Sequence, residues 1–354
     1  MSTIPTEYQK GNFRLKNHAV MAPMTRSRAI GNIPNDLMAT YYAQRAGAGL
    51  IVTEGTSPAP EGLGYARIPG IFSEEQTEAW KKVTSAVHEK NSKIFLQIMH
   101  TGRIGHGNNL PEGVSVVGVS DVKAAGQMWT DQGGMLEHPQ PVALSESEVE
   151  EVIDQYVNAA ENAIKAGFDG VELHGANGYL LEQFLNPHVN TRTDKFGGSI
   201  EKRAKAVLDI AEKIAASIGK EKVGIRFSPN NTYNDMTAYP DEEVRETYGY
   251  LAQKLNEIGI TYLHIAQNPD IKKETFDAIR SNFDGTIILC NGLTPASAEE
   301  ALHAGFADLV AFGTSFLGSP DLIKRIETGA ELNALDFDTF YTPGPIGYID
   351  YPIL

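Results

Sequence analysis

The sequence predicts an α/β protein built as a (β/α)8 barrel. Three observations carry that expectation: eight short apolar runs rich in β-branched residues, amphipathic helical patterns between them, and 354 residues over which the two alternate. The runs are HAVMAPMT (18–25), GLIVTEG (49–55), KIFLQIMH (93–100), GVELHGA (170–176), VGIRFSP (223–229), YLHIAQ (262–267), TIILCNG (286–292) and LVAFGTS (309–315). Eight alternating units of this length favour a closed barrel over an open doubly wound sheet.

The helical patterns include PNDLMATYYAQRAGA (34–48), SEEQTEAWKKVTSAVHEKN (73–91), SESEVEEVIDQYVNAAENAIKAG (145–167) and TPASAEEALHAGFAD (294–308). Ser73 and Ser145 precede acidic residues in the manner of N-caps, and Gly167 and Gly219 follow helical stretches. No GxGxxG follows a strand; GLGYAR (62–67) lacks the third glycine and the following helix, which argues against a Rossmann site. One connection breaks the rhythm: the glycine-rich stretch 101–144 separates the third strand run from the third helix. On the C-terminal side of a barrel strand it would overhang the mouth, so the expectation is one barrel domain over 1–354 with 101–144 as a lid or cap.

Composition narrows the function. The formal net charge of -15 opposes nucleic-acid and anionic-membrane partners, and no apolar run of spanning length or secretory pattern is present. A cytoplasmic protein acting on small molecules is expected, as a monomer or homodimer. Cys290 is the only cysteine, which excludes within one chain a disulfide, a thiolate zinc site and a cysteine-held iron–sulfur cluster. Redox chemistry would require an organic cofactor.

In such barrels chemistry sits where strands end and βα loops begin. The polar residues there are Thr25, Glu54, Gln97, His100, His174, Asn177, Tyr179, Arg226, Gln267 and Asn291. HGANGY (174–179) concentrates three of them. His174 and Asn177 could donate to one substrate oxygen while the Tyr179 phenol, protonated at neutral pH, supplies a proton. The same six residues could equally form a structural His-Gly turn with a left-handed Asn and a core Tyr.

Glu172 alternates onto the side of His174, but no HxH, HExxH or further carboxylate at ligand spacing accompanies them, so no metal is expected. A Glu172 directed into the barrel needs a cationic partner, and Arg226 is the expected one. The glycine turns in CNGLTPASAEE (290–300) and AFGTSFLGSPDL (311–322) suit a phosphate, because glycine permits close backbone approach and the turns after strands 7 and 8 are this fold's usual phosphate site.

Taken in order, APMTR (22–26), LQIMHTGR (96–103), AGFDGVELHGANGYLLEQFLNPHVNTRTDKFGGSIEKRAK (166–205), GIRFSP (224–229), ADLVAFG (307–313), SPDLIKRI (319–326) and GYIDYP (347–352) resemble the signatures of the Old Yellow Enzyme family of FMN-dependent ene-reductases. The likeness covers nearly the whole chain. It implies a barrel that holds FMN non-covalently, is reduced by NAD(P)H, and reduces activated alkenes such as enones, enals, maleimides and nitroalkenes by ping-pong hydride transfer. Carried onto this sequence, it implies flavin contacts from Pro23, Met24, Thr25, Gly55 and Gln97, with Arg226 at the N1 and O2 end. Phosphate-end contacts fall on Asn291, Gly292, Phe312, Gly313 and Thr314. His174 and Asn177 would grip the substrate oxygen, Tyr179 would donate the proton, and Met99 and Tyr341 would line the substrate pocket.

Some positions depart from the pattern. Thr314 stands where the family usually has an Arg on the FMN phosphate, which implies weaker FMN retention. Met99 stands where some relatives have Trp, and Phe196 and Lys202 replace a more common Tyr and Asn. Thr25 marks the Thr-bearing branch. Two other functions compete: a metal-dependent or Schiff-base barrel lyase, and a flavin-binding or partner-binding barrel with little catalysis. The lyase lacks a strand-end lysine, since the runs offer only Lys93 at a strand start.

Overall fold

In the computed structural model, which describes residues 2–354, all eight runs form parallel strands of one closed barrel. These are β1 (Ala19–Met21), β2 (Leu50–Val52), β3 (Lys93–Ile98), β4 (Gly170–Gly175), β5 (Val223–Phe227), β6 (Tyr262–Ala266), β7 (Thr286–Cys290) and β8 (Leu309–Phe312). Strand order follows the chain, and β8 closes the ring on β1. The strands are shorter than the apolar runs at their C-terminal ends. There the chain leaves the sheet for the mouth, as at Pro23–Thr25 after β1.

Helices wrap the barrel: α1 (Asp36–Gln44), α2 (Glu74–His88), α3 (Glu146–Lys165), α4 (Leu180–Leu185), α5 (Ile200–Ile218), α6 (Asp241–Ile258), α7 (Lys273–Ser281), α8 (Pro295–His303), α9 (Thr314–Gly318) and α10 (Leu322–Thr328). Ser73 and Ser145 each complete a reciprocal capping box, with Gln76 and Glu148 reaching back, so α2 and α3 start where their side chains satisfy the first free amides. Among the described residues, no helix is long and apolar enough to cross a membrane.

Alternation along each strand sorts the core into two bodies. Outward residues such as Leu173, Ile225 and Leu263 pack against the helices, while inward residues fill the barrel in layers. The lowest layer holds Phe95, Tyr262, Ile288 and Leu309, and an N-terminal hairpin (Tyr8–Lys10 and Phe13–Leu15) plugs that end, with Phe13 stacked on Tyr262. Glycine is required at two neighbouring inward positions. A Cβ on Gly170 would lie 2.5 Å from the Phe95 ring, and one on Gly224 would collide with Tyr262. The next layer towards the mouth is polar: Gln97, Glu172, Arg226, His264 and Cys290, all buried.

The 101–144 connection carries two short paired segments, Val117–Gly118 with Val142–Ala143, and a hairpin of Gln127–Thr130 and Gly134–Glu137. Trp129 and Met135 from that hairpin stand exposed beside the barrel mouth. Across the mouth lies the C-terminal segment. It is held by Arg26, which donates to the Gly347 carbonyl at 2.8 Å, and by Arg28, which donates to the Thr339 carbonyl at 2.7 Å.

Candidate active site

The C-terminal ends of β1 to β5 converge on a cavity of about 1020 Å³. Pro23 and Thr25 reach it from β1, Gly55 from β2, Gln97 and Met99 from β3, His174, Asn177 and Tyr179 from β4, and Arg226 from β5; Tyr341 closes it from the C-terminal segment. Ten of the residues singled out in the sequence thus share one space. Met24, Asn291, Gly292, Phe312, Gly313 and Thr314 lie outside that cavity's lining. Phe312 packs in the outer core. Asn291 and Gly292 form an exposed left-handed turn after β7 (φ 77° and 66°), and Thr314 is the exposed first residue of α9.

Three strand-end residues serve structure instead. His100 is fully buried, its Nδ1 accepts from the Gly102 amide at 3.0 Å, and burial pushes its imidazole down to about 4. Glu54 turns away from the cavity and accepts from the Arg26 amide at 3.1 Å. Gln267 bonds the Asn291 carbonyl at 2.7 Å.

Beneath the cavity the expected Glu172–Arg226 pair is corrected. Glu172 accepts from Gln97 Nε2 at 2.8 Å, Tyr262 OH at 3.0 Å and His264 Nδ1 at 2.9 Å. Burial pushes its carboxyl up, but the charge and hydrogen bond of His264 outweigh that and hold it below its usual value; His264 is raised in turn by Glu172. The partner is therefore His264 on β6, which reaches across from a strand two places away. Arg226 keeps its guanidinium free of a carboxylate bond. Its Nη2 donates to Cys290 Sγ at 3.7 Å, and its buried Nε has no protein partner.

His174 is buried with Nδ1 unpartnered, and its ring meets the Tyr179 ring edge-on at 5.0 Å between centroids. Burial, with the charges of Arg226 and His264, holds its imidazole well below the usual value, so it is neutral at pH 7. Asn177 adopts the left-handed conformation (φ 57°), as the turn reading has it, and it also lines the cavity. Tyr179 donates its hydroxyl proton to Tyr65 OH at 2.9 Å, and burial raises its phenol so that it stays protonated.

Tyr65, Tyr233 and Asn234 line the cavity and escaped the sequence reading. The one available signal for Tyr65 was an aromatic among glycines in GLGYAR, a stretch weighed only as a failed dinucleotide motif. Nothing local marks Tyr233 and Asn234, which arrive on the loop after β5. Ile30, Trp129, Met135, Tyr233 and Tyr341 leave the rim largely apolar.

An unpartnered guanidinium nitrogen and an unpartnered imidazole nitrogen, both buried on residues that line one roomy apolar-rimmed cavity, suit a ligand that brings polar atoms to them. Barrel, polar ring and cavity together fit a barrel enzyme with an organic cofactor bound at its mouth. The chain belongs to the NADH:flavin oxidoreductase / NADH oxidase family, the Old Yellow Enzyme family, whose model matches residues 8–333. It is 38% identical to 12-oxophytodienoate reductase 7 of Oryza sativa subsp. japonica, over 98% of this chain and 93% of that protein. Among solved structures, morphinone reductase superposes with a TM-score of 0.95 at 38% identity, covering 100% of this chain and 96% of its own. The Old Yellow Enzyme homologue of Zymomonas mobilis gives 0.94 at 37%, covering 99% and 100%. Morphinone reductase is also known in complex with tetrahydroNAD. The cofactor is FMN, and a nicotinamide is its reductant.

Proposed function

We propose that the protein is an NAD(P)H-dependent ene-reductase that adds two hydrogens across the C=C bond of enones, enals, maleimides or nitroalkenes. The observation that carries this reading is the unpartnered His174 Nδ1 facing the same cavity as Asn177 and the Tyr179–Tyr65 pair. Bound FMN would supply hydride transfer between the nicotinamide and the alkene β-carbon. Arg226 Nε would bond the flavin's N1 and O2 end, with Thr25, Gln97 and the Gly55 and Pro23 backbone along its ring.

His174 and Asn177 bind the carbonyl or nitro oxygen and hold the negative charge that develops there. Loss of one such donor typically costs about 10² to 10³ in rate. A neutral His174 serves because it donates without bringing a second charge beside Arg226. Tyr179 delivers the proton to the α-carbon, and its phenolate takes one back through Tyr65. The balance is one hydride from NAD(P)H and one proton from water per alkene. The nicotinamide and the alkene share the one open face, so the kinetics are ping-pong. The apolar rim and the 101–144 lid suit a neutral substrate and exclude water from the reaction.

The test uses anaerobic stopped-flow on FMN-loaded protein. NADPH or NADH should bleach the flavin, and 2-cyclohexenone should restore its colour with saturated cyclohexanone as product. A flavin that bleaches and then reoxidises only with oxygen refutes the reading and leaves a plain NAD(P)H oxidase.

A further inference from the structure

The turn that presents Asn177 and Tyr179 is built from peptide groups that secondary structure does not satisfy. Asn177 and Gly178 are consecutive left-handed residues (φ 57° and 78°). Their amides point away from any strand, and side chains meet all four polar groups, three of them buried (Ser228, Glu182 and Gln183) and Asn234 half-buried. The Asn177 amide donates to Ser228 Oγ at 2.8 Å, and the Gly178 amide to Glu182 Oε2 at 2.5 Å. The Asn177 carbonyl accepts from Asn234 Nδ2 at 2.8 Å, and the Gly178 carbonyl from Gln183 Nε2 at 2.7 Å.

Both amides trace back to one carboxylate. Ser228 Oγ, which accepts from Asn177, donates in turn to Glu182 Oε1 at 2.7 Å. Asn231 Nδ2 and Tyr248 OH complete the shell at 3.0 and 3.3 Å. Glu182 is 4% exposed on α4, one helical turn after Tyr179, and no cation touches it. A buried carboxylate without a counter-ion is retained against its desolvation cost only where several donors converge on it.

We propose that Glu182 is a positioning residue of the active site, whose carboxylate orients the Asn177–Gly178 peptide directly and through Ser228, and so aims the Asn177 side-chain carboxamide and the Tyr179 phenol at the substrate. It rests on the ene-reductase reading for its consequence, but not for its geometry. A rigid shell of this kind matters because sub-ångström misplacement of a donor weakens the charge stabilisation it supplies.

Titration supports the same picture. Burial pushes the Glu182 carboxyl up to about 7, with Ser228, Gly178, Asn231 and Tyr248 pulling it back. The titratable groups around it are Tyr248 and Tyr239, both raised by burial, with Arg203 and its partner Glu243 beyond Tyr239. Both phenols are raised away from the neutral range, so neither masks it. Acid therefore neutralises the brace within the working range, and Gln mimics that neutral form.

The experiment compares FMN-loaded wild type with Glu182→Gln and Glu182→Ala. Amide exchange over 174–185, read by mass spectrometry, should quicken in both variants. The dissociation constant of 4-methoxyphenol, read from its long-wavelength band with the flavin, should rise about tenfold while FMN affinity stays unchanged. The rate of flavin reoxidation by 2-cyclohexenone should fall towards acid in wild type with a midpoint near 7, and should be low and flat in Glu182→Gln. Unchanged exchange and phenol affinity overturn the proposal. So does an acid limb that survives in Glu182→Gln, because Glu54 titrates in the same range and would then own it. If the Glu182 variants do not fold, Ser228→Ala cuts only the branch to Asn177; exchange and affinity equal to wild type there also overturn it. A wild type that shows the exchange pattern but reduces no alkene refutes the ene-reductase reading and leaves the brace standing.

Discussion

Tyr179 donates its hydroxyl proton to Tyr65 across 2.9 Å, so the two phenols share one hydrogen bond at the wall of the cavity. In this resting arrangement the Tyr179 proton points at Tyr65, and under the proposed ene-reductase reading the bond would reverse when a substrate accepts that proton. Tyr65 would then be the donor that stabilises the Tyr179 oxygen. Tyr179→Phe should slow flavin reoxidation by 2-cyclohexenone about 10²-fold or more, within the range of general acid catalysis. Tyr65→Phe should cost about tenfold and leave reduction by the nicotinamide unchanged. Equal rates for Tyr65→Phe and wild type would show that the second phenol is a bystander.

Arg226 presents a buried Nε with no protein partner to the cavity. Arg226→Ala should weaken FMN binding and shift the two-electron potential negative by roughly 30 mV or more, since about 1.4 kcal/mol of charge stabilisation corresponds to that shift. Fluorescence titration and spectroelectrochemistry measure both. A potential that stays put would place the positive charge elsewhere.

Thr314 opens α9 beside Gly313, exposed and without a charge. Thr314→Arg should tighten FMN binding by about one to two decades, the worth of a charge-assisted bond of about 1.5 to 3 kcal/mol. Equal dissociation constants would mean that the turn amides already hold the phosphate.

Met99 lines the cavity at 1% exposure, and a Cβ on Gly55 would collide with its sulfur. Filling that space should change which alkene face meets the flavin. Met99→Trp is expected to alter product enantiomeric excess with a prochiral trisubstituted enone on chiral chromatography; an unchanged product distribution sinks the idea.

Glu54 is 1% exposed with one carboxylate oxygen unpartnered, and burial pushes it up to about 7 against the pull of Arg26 and Arg28. A carboxyl raised on folding contributes stability that is present below its unfolded value and lost as pH rises through the folded one. The native state therefore weakens as pH climbs from about 4.5 to 7, by on the order of 3 kcal/mol for this group. Melting-temperature differences should move in favour of Glu54→Gln from pH 5 to pH 8. A constant difference would show that Glu54 does not titrate there.

The barrel was legible because its periodicity is local. Each strand advertises itself in five or six apolar residues, and each helix in a stripe and a cap, as Ser73 and Ser145 show. The strand-end rule then carried Thr25, Gln97, His174, Asn177, Tyr179 and Arg226 to one mouth without any contact being known. Length and spacing determined these things alone.

Pairings across the barrel were not legible, because they depend on which strands face one another and how far each side chain reaches. Glu172 took His264 on β6 and left the neighbouring Arg226 open to the cavity. His100 shares the strand-end address of His174, yet it points at Gly102 and is spent on its own loop. Tyr65 and Asn234 come from loops whose paths no periodicity encodes, and Glu182 reads in sequence as an ordinary helix acid. Its meaning exists only where Gly178, Ser228, Asn231 and Tyr248 converge on it. The sequence by itself determined the scaffold and the residues at its mouth; the tertiary structure decided which of them are bonded, which are left free for ligands, and what holds them in aim, because a buried polar group takes its partner from whatever folding brings within hydrogen-bond reach.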